Sequence, residues 1–263
     1  MHYIEAGSGF PLLLGHSYLF DHRMWKPQME ELAKRYRLIV PDLWGHGSSP
    51  ELPPQHESLS DIANDFLTLV DRLGLREFGI IGLSVGGMWG AELAAMCPDR
   101  VRALVLMDTY LGAETPDARE KYFSMLNAVD LTGAIVSPLL EYIAQQFYSD
   151  HVPEALLSAL TEHLQQIPAD RLHNSIVPLG KMIFGREDKR DLLKEITCPS
   201  VVITGEEDKP RPPSEGAEMA SLLNCNHIII PGAGHICNLE KPAEVTAVLI
   251  RVLENLIPHQ GKL

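Results

Sequence analysis

The sequence lacks the features that mark several large classes of protein. No charge-free run of about 20 apolar residues occurs, so no membrane-spanning helix is expected. Basic residues are outnumbered, with 22 Lys and Arg against 35 Asp and Glu, a formal charge of −13. That balance opposes binding to nucleic acid or to an anionic membrane, favours solubility and says little about a substrate. Only four cysteines are present, Cys97, Cys198, Cys225 and Cys237, widely spaced and with no Cys-x-x-Cys pair. They are expected to be free and mostly buried thiols in a reducing cytoplasm. The opening Met1-His2-Tyr3-Ile4-Glu5-Ala6-Gly7 lacks the basic start and apolar stretch of a signal peptide. There is no His-Glu-x-x-His, no dinucleotide Gly-x-Gly-x-x-Gly after a first strand and no phosphate loop. The histidines are scattered rather than spaced as ligands, and neither a metal nor a cofactor is expected. Repeats and low-complexity tracts are absent too, and 263 residues suit one enzyme-sized domain or a core with an insertion.

What is present centres on 78–96. An apolar run, Phe78-Gly79-Ile80-Ile81, breaks at Gly82 and passes Leu83-Ser84-Val85. It then meets Gly86 and Gly87 and continues as a segment rich in Ala, Leu and Glu. This is Gly-x-Ser-x-Gly between a predicted strand and a predicted helix, the context that gives the motif its chemistry. A serine at such a turn holds a strained backbone and exposes its hydroxyl. Gly82 and Gly86 remove side chains that would clash, and the helix aims free N–H groups and its positive dipole end at any nearby oxyanion. The segment resembles the nucleophile elbow of the α/β-hydrolase family.

Taken in order, the chain alternates strand and helix signals. Strands are read at 2–6, 11–15, 37–40, 78–83, 101–107, 198–205 and 226–230, with helices over 26–36, 59–73, 85–96, 214–222 and 242–256. Ser58 and Ser60 are both candidate caps for the second helix. The apolar runs are too unbroken for a one-sided sheet. An α/β class follows, with a mostly parallel central sheet covered by helices on both faces. Between 111 and 188 the strand signals vanish, and helical stretches over 118–129, 138–148, 154–166 and 172–183 are punctuated by prolines. The expected organisation is a first core part over 1–110, an inserted helical lid over 111–188 and a second core part over 189–263. Members of the family usually carry one more strand at the start, so a trimmed sheet edge is expected. Met125, Ile143, Phe147 and Phe184 are candidate walls of a substrate pocket, as are Leu126, Leu139 and Met182.

The resemblance extends over most of the predicted core. His16, with Trp25 nine positions on, stands where the family has a His-Gly loop, although Ser17 replaces the usual glycine. In that register the backbone N–H groups of Tyr18 and Val85 would form an oxyanion hole. His16 itself reads as a structural histidine. Asp42-Leu43-Trp44-Gly45-His46-Gly47-Ser48-Ser49 resembles a family loop in which Asp42 would accept backbone N–H bonds and the glycines take positive φ. Late in the chain, Gly205-Glu206-Glu207-Asp208 and Gly234-His235, with Glu240 and Pro242 beyond, match two further family motifs. Ser84, Asp208 and His235 thus occur in the family's order of nucleophile, acid and base, each at the carboxyl end of a predicted strand. Asp108 also ends a strand and stays open as the acid, as do Glu206 and Glu207.

The resemblance implies a serine hydrolase cleaving a small carboxylic ester, lactone or thioester through an acyl-enzyme, without a cofactor. The elbow and the strand ending at Asp108-Thr109 are similar to those of enol-lactonases of aromatic degradation. The same triad also hydrolyses C–C bonds of vinylogous diketones in relatives, and the fold serves as a non-catalytic small-ligand receptor, so both remain alternatives. Substrate and oligomeric state are not legible.

Overall fold

Residues 1–257 are described by a computed structural model. The apolar runs become seven strands: β1 (Tyr3–Ala6), β2 (Phe10–Gly15), β3 (Tyr36–Pro41), β4 (Phe78–Leu83), β5 (Val101–Met107), β6 (Ser200–Gly205) and β7 (Asn226–Ile230). They form one sheet in the order β1-β3-β2-β4-β5-β6-β7. Only β1, at the edge, runs antiparallel to its neighbour; every other pairing is parallel. β4 and β6 are buried at every residue, which is why their sequences show no polar alternation.

The helices are α1 (Lys26–Leu32), α2 (Leu59–Arg72), α3 (Val85–Met96), α4 (Pro116–Thr132), α5 (Leu139–Phe147), α6 (Glu154–Gln165), α7 (Ala169–Arg171), α8 (Val177–Gly185), α9 (Pro213–Leu223), α10 (Cys237–Glu240) and α11 (Pro242–Leu256). α2 packs on α3 and α1 on α11, while α3, α9 and α11 rest directly on strands. Ser58 caps α2 in a reciprocal box with Asp61, which settles the choice between the two serines. Ser60 instead donates to Glu92 on α3. Among the described residues no helix is long and apolar enough to cross a membrane. All four cysteines are free, Cys237 fully buried and the others partly.

Two helices differ from the sequence reading. The helix expected over 26–36 stops at Leu32, because Tyr36 is needed in β3, where it pairs with Phe10. The turn at 33–35 is packed against Gly7, where a Cβ would lie 2.3 Å from the carbonyls of Ala33 and Tyr36. The helix expected over 172–183 is a π-helical stretch, Leu172–Ile176, leading into α8. Pro178 explains the break, since it has no N–H to continue the regular ladder and sits instead in the first turn of α8.

Between β5 and β6 the chain is helical, from α4 to α8, with no strand. Both ends of this insert meet at one buried charge cluster. Glu114, just before α4, accepts from Arg186, just after α8, at 2.7 Å, and from Arg211. All three side chains are at least nine-tenths buried. The carboxylate between them offsets the cost of burying both guanidinium groups, and Glu215 adds a second partner to Arg211 at 3.3 Å.

Candidate active site

The carboxyl ends of β4, β5, β6 and β7 meet at one rim of the sheet. β4 delivers Ser84 at φ 57° and ψ −121°, a conformation that L residues rarely adopt. The strain is held by hydrogen bonds: Ser84 N donates to Met107 O at 2.9 Å, and the Thr109 hydroxyl donates to Ser84 O at 2.6 Å. Crowding explains the glycines. A Cβ on Gly82 would sit 2.2 Å from the Gly86 carbonyl oxygen, and one on Gly86 would sit 2.3 Å from that of Gly15. Leu19 (φ 67°) and Asp108 (φ 46°) also take positive φ, so three of the four such non-glycine residues among those described lie around this rim.

His235 reaches Ser84 from the loop after β7. Its Nε2 lies 2.9 Å from Ser84 Oγ, and its Nδ1 lies 3.0 Å from both carboxylate oxygens of Asp208. The serine, the histidine and the aspartate are all buried. Asp208 also accepts from the Arg211 amide at 2.9 Å, which fixes the acid loop after β6. The His235 loop is anchored by Glu240, whose carboxylate accepts from Gly234 N, Ser149 N and Ser149 Oγ. Gly234 is required because the insert's backbone passes close, with Ser149 N 2.4 Å from where a Cβ would stand.

The rival acids are placed elsewhere. The Asp108 carboxylate accepts from Gly205 N at 2.7 Å and from Cys237 Sγ at 2.9 Å and makes no hydrogen bond to His235. Glu206 accepts from Gly232 N and Glu207 from Asp150 N.

On the opposite side of Ser84 lies the loop after β2. Its amides at Ser17 and Leu19 are engaged, with Met24 Sδ and His46 Nε2 respectively, and Phe20 N donates to Ser17 O. Among the described residues the Tyr18 amide between them has no protein acceptor, and Val85 N opens the first turn of α3. His16 is buried and bridges two loops: its Nε2 accepts from Leu43 N at 2.8 Å, and its Nδ1 faces Ser17 O at 2.7 Å. Burial holds its pKa below the ordinary histidine value, as a neutral acceptor requires. His46 props the same loop through Leu19, and burial lowers its pKa to about 3. The Ser17 hydroxyl, standing where a glycine is usual, is buried and has no hydrogen-bond partner among the described residues.

Asp42 accepts from the amides of His22 (2.8 Å) and Ser48 (3.0 Å), and Gly45 and Gly47 take positive φ. Folding also brings His2 and His22 onto the two Asp42 oxygens, each Nδ1 at 2.8 Å, a grouping that sequence spacing did not reveal. As Nδ1–H donors, the two rings satisfy a carboxylate that has no access to water.

A cavity of about 110 Å³ opens on Ser84 and His235. Met125, Ile143, Phe147 and Phe184 all stand on its wall, together with Tyr18 and Leu126. Leu139 does not line it, and Met182 faces a separate groove on the far side of Met88. Sequence reasoning missed other parts of the wall, among them Tyr122, Tyr142 and Arg211. It also missed the supports Thr109, Ser149 and Cys237. Thr109 had a signal, because it directly follows the strand end beside the elbow; the others had none short of the fold.

Comparison with known proteins places this arrangement. The family model described as the alpha/beta hydrolase fold matches residues 11–242. The chain is 25% identical over 222 residues to 3-oxoadipate enol-lactonase 1 of Acinetobacter baylyi, covering 84% of this chain and 80% of that protein. It is 27% identical over 245 residues to pimeloyl-[acyl-carrier protein] methyl ester esterase of Legionella pneumophila, covering 90% and 92%. Among solved structures, a thermophilic esterase from Thermogutta terrifontis superposes with a TM-score of 0.85 at 29% identity, covering 97% of this chain and 93% of that one. From strand order, elbow and matched span together, the chain belongs to the α/β-hydrolase fold family.

Proposed function

We propose that this chain is a serine hydrolase that cleaves a small carboxylic ester or lactone through an acyl-enzyme, with Ser84, His235 and Asp208 as its triad. One observation carries the reading. A single imidazole lies 2.9 Å from a strained serine hydroxyl on one side and 3.0 Å from both oxygens of a buried carboxylate on the other. A serine hydroxyl is a weak nucleophile at neutral pH, so its proton must leave during attack. His235 Nε2 takes that proton as Ser84 Oγ bonds to the acyl carbon, and Asp208 holds the ring with Nδ1–H inward and stabilises the imidazolium. The carbonyl oxygen becomes an oxyanion, for which the amides of Tyr18 and Val85 are the donors, fixed before the charge develops. His235 then gives the proton to the departing alkoxide, and water repeats the sequence to release the acid.

The cavity walls are mainly apolar and the helical insert contributes most of them, so the insert acts as a lid that selects a short, uncharged acyl portion. The enol-lactonase and the methyl ester esterase, by their names, both act on a carbon–oxygen bond to an acyl group, which supports esters and lactones alike.

Turnover of p-nitrophenyl acetate and butyrate tests the reading. The expected result is hydrolysis that falls by orders of magnitude when His235 is replaced by alanine. Activity retained in that variant would remove the histidine base, and binding without turnover would indicate a ligand receptor.

A further inference from the structure

Directly behind the triad acid lies a second carboxyl group for which the mechanism above has no use. Asp108 is fully buried and stands at a strained φ of 46° at the end of β5. One of its oxygens accepts from Gly205 N at 2.7 Å and the other from Cys237 Sγ at 2.9 Å. Its carboxyl group is also within hydrogen-bonding reach of that of Asp208. Two carboxylates in contact, sealed from water, cannot both be ionised, so the pair holds a proton.

The surroundings decide which member carries it. Asp208 faces the His235 ring N–H and accepts a backbone amide from Arg211. Asp108 faces one backbone amide, a neutral thiol and the negative charge of Asp208. The negative charges of Asp208 and Glu240 also act on Cys237, and no cation contacts Asp108 among the described residues. Burial first, and the Asp208 charge second, push the Asp108 carboxyl well above the usual carboxylate range. Burial likewise pushes the Cys237 thiol up, so it stays a donor.

We infer that Asp108 is a positioning residue for the triad: it keeps its proton, donates it in a hydrogen bond to the Asp208 carboxylate, and is itself held by Gly205 and Cys237. This rests on the serine-hydrolase reading above for its consequence, though not for the proton itself. A neutral donor there fixes Asp208 in the orientation that presents both oxygens to His235. It also limits the charge behind the imidazole to one; a second would hold the proton on the ring and idle the base.

Three measurements test the inference. Infrared spectra of protein carrying ¹³C-labelled aspartate should show a protonated-carboxyl carbonyl band at neutral pH. The band should vanish in Asp108→Asn and persist in Ser84→Ala, so it requires no turnover and survives failure of the enzymatic reading. Thermal melts give the second. Above the unfolded pKa of about 3.9 the unfolded chain has released a proton that folded Asp108 retains, so its contribution is lost as pH rises. The melting temperature of Asp108→Asn relative to the parent should therefore climb steadily with pH from about 4 upward. Third, Asp108→Leu should lose about 10- to 100-fold in kcat/KM, the worth of a hydrogen bond to a charged group. Asp108→Asn, which restores a donor and an acceptor, should recover most of that loss. Absence of an Asp108-dependent carboxyl band, or a melting difference that falls with pH, would overturn the protonation. A leucine variant as active as the parent, or an asparagine variant as damaged as leucine, would overturn the positioning role. Should leucine fail to fold, the band and the asparagine melts still decide.

Discussion

Ser84→Ala turns over p-nitrophenyl esters more slowly than the parent by on the order of 10⁴- to 10⁶-fold, and its melting temperature scarcely moves. The two halves of this expectation have separate physical grounds. Among the described residues the Ser84 hydroxyl makes one hydrogen bond, with His235 Nε2, and it does not cap α3, so removing it leaves no helix end exposed. Alanine keeps the backbone bonds to Met107 and receives the same support from Thr109, so the elbow keeps its shape. Chemistry fares differently. Without the oxygen no acyl-enzyme can form, and what remains is water attacking a bound ester polarised by the oxyanion donors. Because the constellation acts as a unit, adding His235→Ala to Ser84→Ala should cost little more, which kcat measured on the double variant would check.

Asp208→Asn has the next largest effect, a fall in kcat of about 10⁴-fold, far beyond that of Asp108→Asn. An asparagine fits the same space, so the loss is electronic rather than steric. Its amide offers one acceptor and one donor where the carboxylate offered two acceptors, both now 3.0 Å from Nδ1. If the NH₂ turns toward the ring, Nδ1 must become the acceptor and Nε2 carries the proton, which blocks its use as a base. The stabilisation of the imidazolium is lost in either orientation. Comparing kcat for the two asparagine variants, with both shown to be folded, decides which carboxylate is the acid. A larger loss at Asp108 would transfer the role to the end of β5.

Much of this was legible before the fold was known, for reasons that differ between elements. β4 was plain because a strand buried on both faces must be apolar throughout, and β5 departs from that only at the exposed Arg102. The elbow was plain because its strain leaves no alternative to glycine at 82 and 86, where the neighbouring backbone comes within 2.2 and 2.3 Å of a Cβ. Ser84 and His235 each carry such a glycine-marked context, and the structure sets them in contact. The end of α1 was misread because Tyr36 belongs to the sheet through pairing with Phe10, a partner that local periodicity does not see. Nor does periodicity reveal that Ser149, deep in the insert, ties down the histidine loop through Glu240. Asp108 shows the limit most clearly. In the sequence it is a strand-end aspartate indistinguishable in kind from Asp208. Only the fold separates them, by setting Gly205 and Cys237 against Asp108 and His235 against Asp208.

The claim that a nucleophile sits at Ser84, activated by its neighbours, is most directly met by a fluorophosphonate probe read by intact mass and peptide mapping. One adduct per chain, on Ser84 and absent in His235→Ala over the same interval, is the expected result. Labelling at another residue, or none by a folded protein whose cavity admits the probe, would contradict it.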